Sequence, residues 1–370
     1  MTPVLSLPRL FLAAGAIQAL PQALSELGVS RPLLVSDRNL AACGVLGQVE
    51  GALKGKSGYA VFDAIPENPT SAGVLEALAA YRENKCDGVV AIGGGSVIDS
   101  GKMLAILAVQ GGTPDDYMGA PDKVKAVAPL IVLPTTAGTG SEASPASSIH
   151  PTPSERGLGV ASLLLVPKVA ICDPDLTYTL PRRLTAATGM DALSHCIEAV
   201  FAAPENPMAE AMAYDGIRRV SGFLRRAVEN GRDPEARLQI MAAAFMGGVA
   251  IHKGLGPAHA IAIACGDQDV NHGVLSNIGV VASLDFVATH APDRARRMAH
   301  AMGLADGVSL KDGVISLSQD IGLPLTLSAA GYRVRDLEEV AQAALDTHFN
   351  RTAARKPTFD DYRQMIGAVM

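Results

Sequence analysis

The sequence predicts a two-part fold, an α/β N-terminal half built on a mostly parallel sheet followed by an all-α C-terminal half. Three observations carry this reading. In the first half, short and nearly continuous apolar runs alternate with helix-patterned stretches, as strands buried on both faces by crossover helices do. Two of those runs end directly in loops rich in glycine and hydroxyl side chains, Gly93-Gly94-Gly95-Ser96 and Pro134-Thr135-Thr136-Ala137-Gly138-Thr139-Gly140-Ser141. Beyond Pro181 the pattern is helical almost to the end, with breaks at Pro204, 231–234, 254–257, Pro292, Pro324 and Pro357. The boundary falls near residue 180, giving domains 1–180 and 181–370.

Taken in order, Arg31-Pro32-Leu33-Leu34-Val35-Ser36-Asp37 reads as a buried strand ending on an acid, and a helical stretch from about Leu40 to Leu53 follows. A second strand lies around Tyr59-Ala60-Val61-Phe62. Asn68-Pro69-Thr70 is a loop whose Thr70 can cap a helix from Ser71 to Glu83. Gly88-Val89-Val90-Ala91-Ile92 is a buried strand that runs into the glycine triplet and a helix from Val97 to about Leu107. Pro129-Leu130-Ile131-Val132-Leu133 is a further strand. A polar region with Pro145, Pro151 and Pro153 then leads to the apolar runs at Leu163–Val166 and Val169–Cys172.

Composition excludes several classes. A net charge of −6 with no basic cluster argues against nucleic acid as a partner, and the absence of Trp weighs against a base-stacking platform. Although 48% of residues are hydrophobic, no uninterrupted apolar run reaches membrane-spanning length. The start at Met1 lacks the basic, apolar and cleavage regions of a signal peptide, so the expectation is a cytoplasmic protein without a membrane partner. The five cysteines are dispersed, as reduced and mostly buried thiols are.

The glycine triplet has a clear physical use. Amides at a helix N-terminus carry partial positive charge, and glycine lets a pyrophosphate approach closely. A tight turn is the plainer alternative. Ser96 adds a hydroxyl, and Asp99 and Lys102 follow one and two turns into the helix. The Thr135–Ser141 loop also follows a strand, and two such loops at strand carboxyl ends face one ligand crevice. Asp37, at another strand end, can accept from an adenosine ribose, which favours NAD over NADP, or can simply cap the next helix.

In the helical half, Asp191 and His195 sit four apart and so share one helix face, where they can grip one divalent cation. Cys196 points elsewhere on that helix. His259 opens an apolar helix and His272 opens another; singly, each could be a hydrogen-bonded core residue or a cap. With Asp191 and His195 they make a set of three nitrogens and one oxygen, which suits Fe(II) or Zn(II). His290, His300 and His348 read as surface residues.

Gly93-Gly94-Gly95-Ser96 with Asp99 and Lys102, Pro134 to Glu142, Asp173-Pro174, Gly189-Met190-Asp191-Ala192, and Gly254-Leu255-Gly256 ahead of His259 stand in one order along the chain. In this the sequence resembles the iron-containing (group III) alcohol dehydrogenases, over essentially its whole length. The resemblance implies the group III alcohol dehydrogenase / dehydroquinate synthase-like fold: a nucleotide-binding α/β domain, a helical domain and a metal in the cleft between them. On matching positions it implies metal ligands Asp191, His195, His259 and His272. It implies NAD contacts at Asp37, Asn68, Gly94, Gly95, Ser96, Thr135, Thr136 and Thr139.

Four positions depart from the family pattern. Ile263 stands where most members have a second histidine near the nicotinamide. A family lysine that reaches the cofactor has no clear match, Arg156 being the nearest basic residue. Ala264 to Asp269 lacks the usual His-Pro-Leu-Gly, and His252-Lys253 replaces Asn-Ala. The expected activity is hydride transfer between NAD(H) and a small alcohol–aldehyde pair, with the cation as a Lewis acid, in a homodimer or larger homo-oligomer. His252 and Lys253 are possible substrate contacts, and Lys253 suggests a carboxylate, phosphonate or sulfonate tail unless it is solvated or paired with an acid. The alternatives are a metal-independent NAD(P)H-dependent reductase of the maleylacetate type and a non-catalytic nucleotide-binding sensor.

Overall fold

The computed structural model describes residues 5–55, 58–153, 155–334 and 336–370. Met1 to Val4, where the reading of the N-terminus begins, lie outside them. The chain forms two compact units, Ser6–Thr136 with Ser141–Thr179, and Ala137–Gly140 with Leu180–Met370.

The strands of the first unit are β1 (Arg9–Leu12), β2 (Pro32–Val35), β3 (Ala60–Phe62), β4 (Gly88–Gly93), β5 (Leu130–Pro134), β6 (Ala146–Ile149), β7 (Leu158–Ala161) and β8 (Val169–Cys172). Its helices are α1 (Leu20–Glu26), α2 (Arg38–Ala42), α3 (Val45–Ala52), α4 (Ser71–Glu83) and α5 (Gly95–Gln110). Six strands make a parallel sheet in the order β1-β8-β5-β4-β2-β3, while β6 and β7 pair antiparallel by themselves. β4 and β5 are buried at every position, as their unbroken apolar sequence requires. One face packs Leu20, Leu24 and Val49 against Leu34, Val90, Ile131 and Ile171. The strand order reverses between β2 and β4, and there the carboxyl ends of parallel strands leave a crevice for a ligand.

Several boundaries differ from expectation. The stretch from Leu40 to Leu53 divides into α2 and α3 because Gly44 takes φ of 84°, a left-handed conformation that ends one helix and starts another. β1 and the β6–β7 pair carried no clear signal: β1 is a short edge strand, and β6 is polar at its two central positions, Ser147 and Ser148. By contrast α4 spans Ser71–Glu83 as expected, with the Thr70 hydroxyl accepting from Gly73 N at 3.2 Å.

The second unit holds α6 (Arg182–Phe201), α7 (Pro207–Glu229), α8 (Pro234–Ala250), α9 (Pro257–Ala264), α10 (His272–His290), α11 (Pro292–Ala301), α12 (Leu310–Asp320), α13 (Leu337–Leu345) and α14 (Phe359–Gly367). Four of them start with proline at the first helical position, where the missing N–H costs nothing. α6 is buried at every position from Gly189 to Phe201. Any polar side chain on that stretch must therefore find a partner inside the protein. Among the described residues only α10 alone is long and apolar enough to cross a membrane, and 67% of its apolar window is buried inside the protein.

Candidate metal centre and nucleotide loops

Asp191, His195 and Glu198 occupy positions i, i+4 and i+7 of α6 and so share one face. The Oδ1 atom of Asp191 lies 3.9 Å from His195 Nε2, 3.8 Å from His259 Nε2 and 3.9 Å from His272 Nε2. The His195 and His259 rings stack with centroids 4.7 Å apart, and the His272 ring tilts against His259 at 5.6 Å. Each of the three expected histidines thus faces Asp191, and the ligand atoms of Asp191, His195 and His259 lie within 4.8 Å of one another. Asp191, His195 and His259 are buried, whereas the His272 side chain is 44% exposed and marks the open side.

Two glycines allow this convergence. A Cβ on Gly273 would sit 2.3 Å from the Ala187 carbonyl oxygen, and one on Gly279 would sit 2.3 Å from that of Ala258. Only glycine lets α10 approach α6 and α9 so closely. Gly273→Ala is expected to push the start of α10 outward, costing about 1–3 kcal/mol of stability and carrying His272 away from Asp191. Thermal unfolding and metal titration check this; a variant that binds metal as the native protein does would disprove the positioning role.

The donor set fits a divalent cation. Among the described residues, Asp191 Oδ1 and His259 Nε2 are buried without a hydrogen-bond partner, facing one another. Buried polar atoms are seldom left so, and an ion shared by them accounts for both. Burial opposes ionisation of Asp191, but the three imidazoles and Ser276 outweigh it and hold the carboxyl below its usual range. Burial pushes His195 down to about 4, which keeps its ring neutral, as a ligand must be.

Glu198 was not anticipated from the sequence. Its carboxylate accepts from Ala258 N at 2.8 Å and His259 N at 3.1 Å, satisfying two free amides at the start of α9, and also accepts a hydrogen bond from His259 Nδ1. A carboxylate accepts only, so Nδ1 carries the hydrogen and Nε2 presents its lone pair toward Asp191. Burial favours the neutral His259 ring, yet the bond to Glu198 outweighs it and raises the pKa. The signal was available in the i, i+4, i+7 spacing. Cys196 is buried against Gly216 of α7, and burial pushes its thiol up to about 12.

In the first unit, the expected cofactor residues Gly94, Gly95, Ser96, Thr135, Thr136 and Asn68 lie on neighbouring loops at the strand ends. Thr135 N donates to the Gly93 carbonyl at 3.0 Å, and a Cβ on Gly94 would be 3.1 Å from Thr136 Cγ2. The Ser96 hydroxyl donates to the Glu67 carbonyl, joining the exposed Asn68 loop to the start of α5. Asp37 follows β2 and caps α2 through Oδ1, which accepts from Leu40 N at 2.9 Å. Thr139 belongs to Ala137–Gly140, which folds with the helical unit.

Asp99 and Lys102 anchor the chain that follows Gly140. Asp99 accepts from the Ser141 hydroxyl at 2.8 Å and Ser148 N at 2.9 Å. The buried Lys102 ammonium donates to the carbonyls of Ser144 at 3.0 Å and Ala146 at 2.6 Å. Burial lowers Lys102 to about 8 against the pull of Asp99 and Glu142. Asp173 likewise supports a turn, accepting from Gly15 N and Ile17 N at 3.1 and 3.0 Å.

Lys253 is placed differently from a substrate contact. It is buried, and its ammonium donates to the Val200 carbonyl at 3.2 Å and Glu210 at 3.1 Å, so the paired alternative holds. A lysine in a short apolar segment gave no sign of an acid that comes from α7, more than forty residues away in sequence. His252 and Ile263 are half-buried, and Arg156 is half-buried ahead of β7. His290, His300 and His348 are exposed, as expected.

A parallel sheet with glycine and hydroxyl loops at its strand ends, and a buried nitrogen–oxygen cluster in a helical unit, are attributes of a dinucleotide-linked metalloenzyme. Comparison with known proteins makes the class specific. Residues 8–174 match the family model for iron-containing alcohol dehydrogenase, and residues 185–370 match its C-terminal domain. The chain belongs to the iron-containing alcohol dehydrogenase family. It is an oxidoreductase acting on CH–OH groups. It is 40% identical to a 4-hydroxybutyrate dehydrogenase of Cupriavidus necator, with 97% of each chain covered. It is 30% identical to an NAD-dependent methanol dehydrogenase of Bacillus methanolicus, again over 97% of each. Among solved structures, a 1,3-propanediol oxidoreductase superposes with a TM-score of 0.94 at 30% identity, covering 99% of both chains.

Proposed function

We propose that Asp191, His195, His259 and His272 together hold one Fe(II) or Zn(II) ion. We further propose that NAD(H), in preference to NADP(H), lies on Asp37, Asn68, Gly94, Gly95, Ser96, Thr135, Thr136 and Thr139. The observation that carries the metal reading is Asp191 Oδ1, buried, unpartnered and about equally distant from three imidazole nitrogens. A metal-free reductase leaves that atom and His259 Nε2 unexplained. Support for NAD over NADP is the Asp37 carboxylate at the end of β2, which would repel a 2′-phosphate. For assembly, the open edge at β1 with Leu7 and Leu10 exposed supports a homo-oligomer.

Bound there, the cation supplies Lewis acidity and the dinucleotide supplies hydride chemistry. The chain does the rest. Asp191 contributes the one negative charge among the ligands, the stacked His195 and His259 set two directions, and Glu198 fixes which His259 nitrogen is free. The buried side of the cluster keeps water out, and the exposed side at His272 admits the substrate. The substrate is a small alcohol–aldehyde pair, and similarity to the 4-hydroxybutyrate dehydrogenase favours one with an anionic tail.

Chelation followed by reconstitution with defined metals tests the reading. The expected result is one ion per chain, with alcohol oxidation lost and regained as the ion leaves and returns. Activity that persists at zero metal content overturns it.

A further inference from the structure

An anionic tail needs a cation on the open side of the ligand cluster, and Lys253 is already engaged with Val200 and Glu210. Phe349 stands on that cluster, its ring edge-on to His259 with centroids 5.8 Å apart. It belongs to one 3-10 turn, His348–Arg351. The turn is pinned at its end and from within. The Thr352 hydroxyl donates to the Leu255 carbonyl at 2.7 Å, just ahead of α9. Asn350 donates to the carbonyls of Ala344 and Leu345 at 2.9 and 2.8 Å, and accepts from the Tyr362 hydroxyl at 2.6 Å.

Two other side chains of this turn are basic. The His348 ring lies on Phe349 with centroids 4.1 Å apart, and Arg351 is exposed. Among the described residues neither is paired with a carboxylate, in contrast to nearby Arg355, which faces Asp361 at 3.7 Å. Partial desolvation, with the nearby Arg351 charge, pushes the His348 pKa below its usual value.

We propose that Arg351 and His348 receive the anionic tail of the substrate, a carboxylate a few carbons from the reacting hydroxyl, with Phe349 as the wall between tail and ligand cluster. This rests on the reading of the Asp191–histidine cluster as the reacting site. In extended 4-hydroxybutyrate the hydroxyl and carboxylate oxygens are roughly 6 Å apart, less than two residues of extended chain. That length would carry a tail from the cluster as far as the Phe349 ring, 5.8 Å from that of His259. Guanidinium is suited to the task, because its planar fork matches both oxygens of a carboxylate.

The test compares 4-hydroxybutyrate with butane-1,4-diol, which replaces the carboxylate by a neutral group, on the metal-loaded enzyme. Arg351→Gln should lower the preference for acid over diol, as the ratio of kcat/KM values, roughly tenfold or more. The loss should appear in KM for the acid, Arg351→Lys should recover part of it, and His348→Gln should give a smaller loss. Calorimetric binding of butyrate to the NADH-loaded enzyme should weaken in parallel. A fall of equal size for both substrates, or no change in either, overturns the assignment of Arg351. A native enzyme that turns over both substrates without preferring the acid overturns the anionic tail while leaving the metal site standing. A native enzyme that stays active without metal overturns the reading beneath both.

Discussion

Asp191→Asn is expected to abolish metal retention and to lower alcohol oxidation about a thousandfold or more, because a Lewis acid worth several kcal/mol is lost with it. The substitution keeps the shape of the side chain, so α6 should still pack. What it removes is the charge at the point where three Nε2 atoms converge at 3.8–3.9 Å. Metal content after dialysis, turnover with a panel of alcohols, and NADH binding are the three measurements. NADH binding should persist, since Asp191 lies in the second unit and the glycine loop in the first. Full metal occupancy in the variant would show that the cluster is not the ligand set.

The second large effect belongs to Glu198. Replacing it with Gln substitutes a donor for one of two acceptor oxygens, although three N–H groups point at them, those of Ala258 N, His259 N and His259 Nδ1. The relaxed arrangement turns the amide N–H toward Nδ1, which shifts the ring hydrogen to Nε2 and blocks the nitrogen that should face the ion. Metal affinity should fall roughly 10–100-fold, as measured by competition with a chelator. The rise in Tm on adding metal should shrink with it. Glu198→Asp, which keeps acceptors only, should lose less than Glu198→Gln. Unchanged metal affinity in a variant of lowered Tm would mean that Glu198 serves only to cap α9.

How much of this was legible in the sequence depended on how local the signal was. The buried strands β2, β4, β5 and β8 each announce themselves as apolar runs, and α4 by its Thr70 cap, since these depend on neighbours within a few residues. The edge strand β1 did not, because an edge needs no two-sided burial and its four residues carry no alternation. Of the site, Asp191 and His195 were legible as a one-turn pair. His259 and His272 could be chosen from eight histidines only because both open helices in a matching order of motifs.

The amino-acid sequence by itself determined the division into an α/β part and a helical part, the glycine and hydroxyl loops at strand ends, and the identity of the four ligand candidates. The first two follow from periodicity and local composition, and Asp191 with His195 from helical spacing, while His259 and His272 were singled out by the order of motifs shared with the family. The tertiary structure decided which buried polar groups find partners. It gave Lys253 to Glu210, gave Glu198 to His259, and brought Phe349, from a turn some ninety residues after His259, up to its ring. The reason is physical: a buried charge must be compensated, and the compensating group is set by which helices touch, not by which residues are near in sequence. The pair on α6 was readable from its spacing, but what completes it and what it faces came only with the fold.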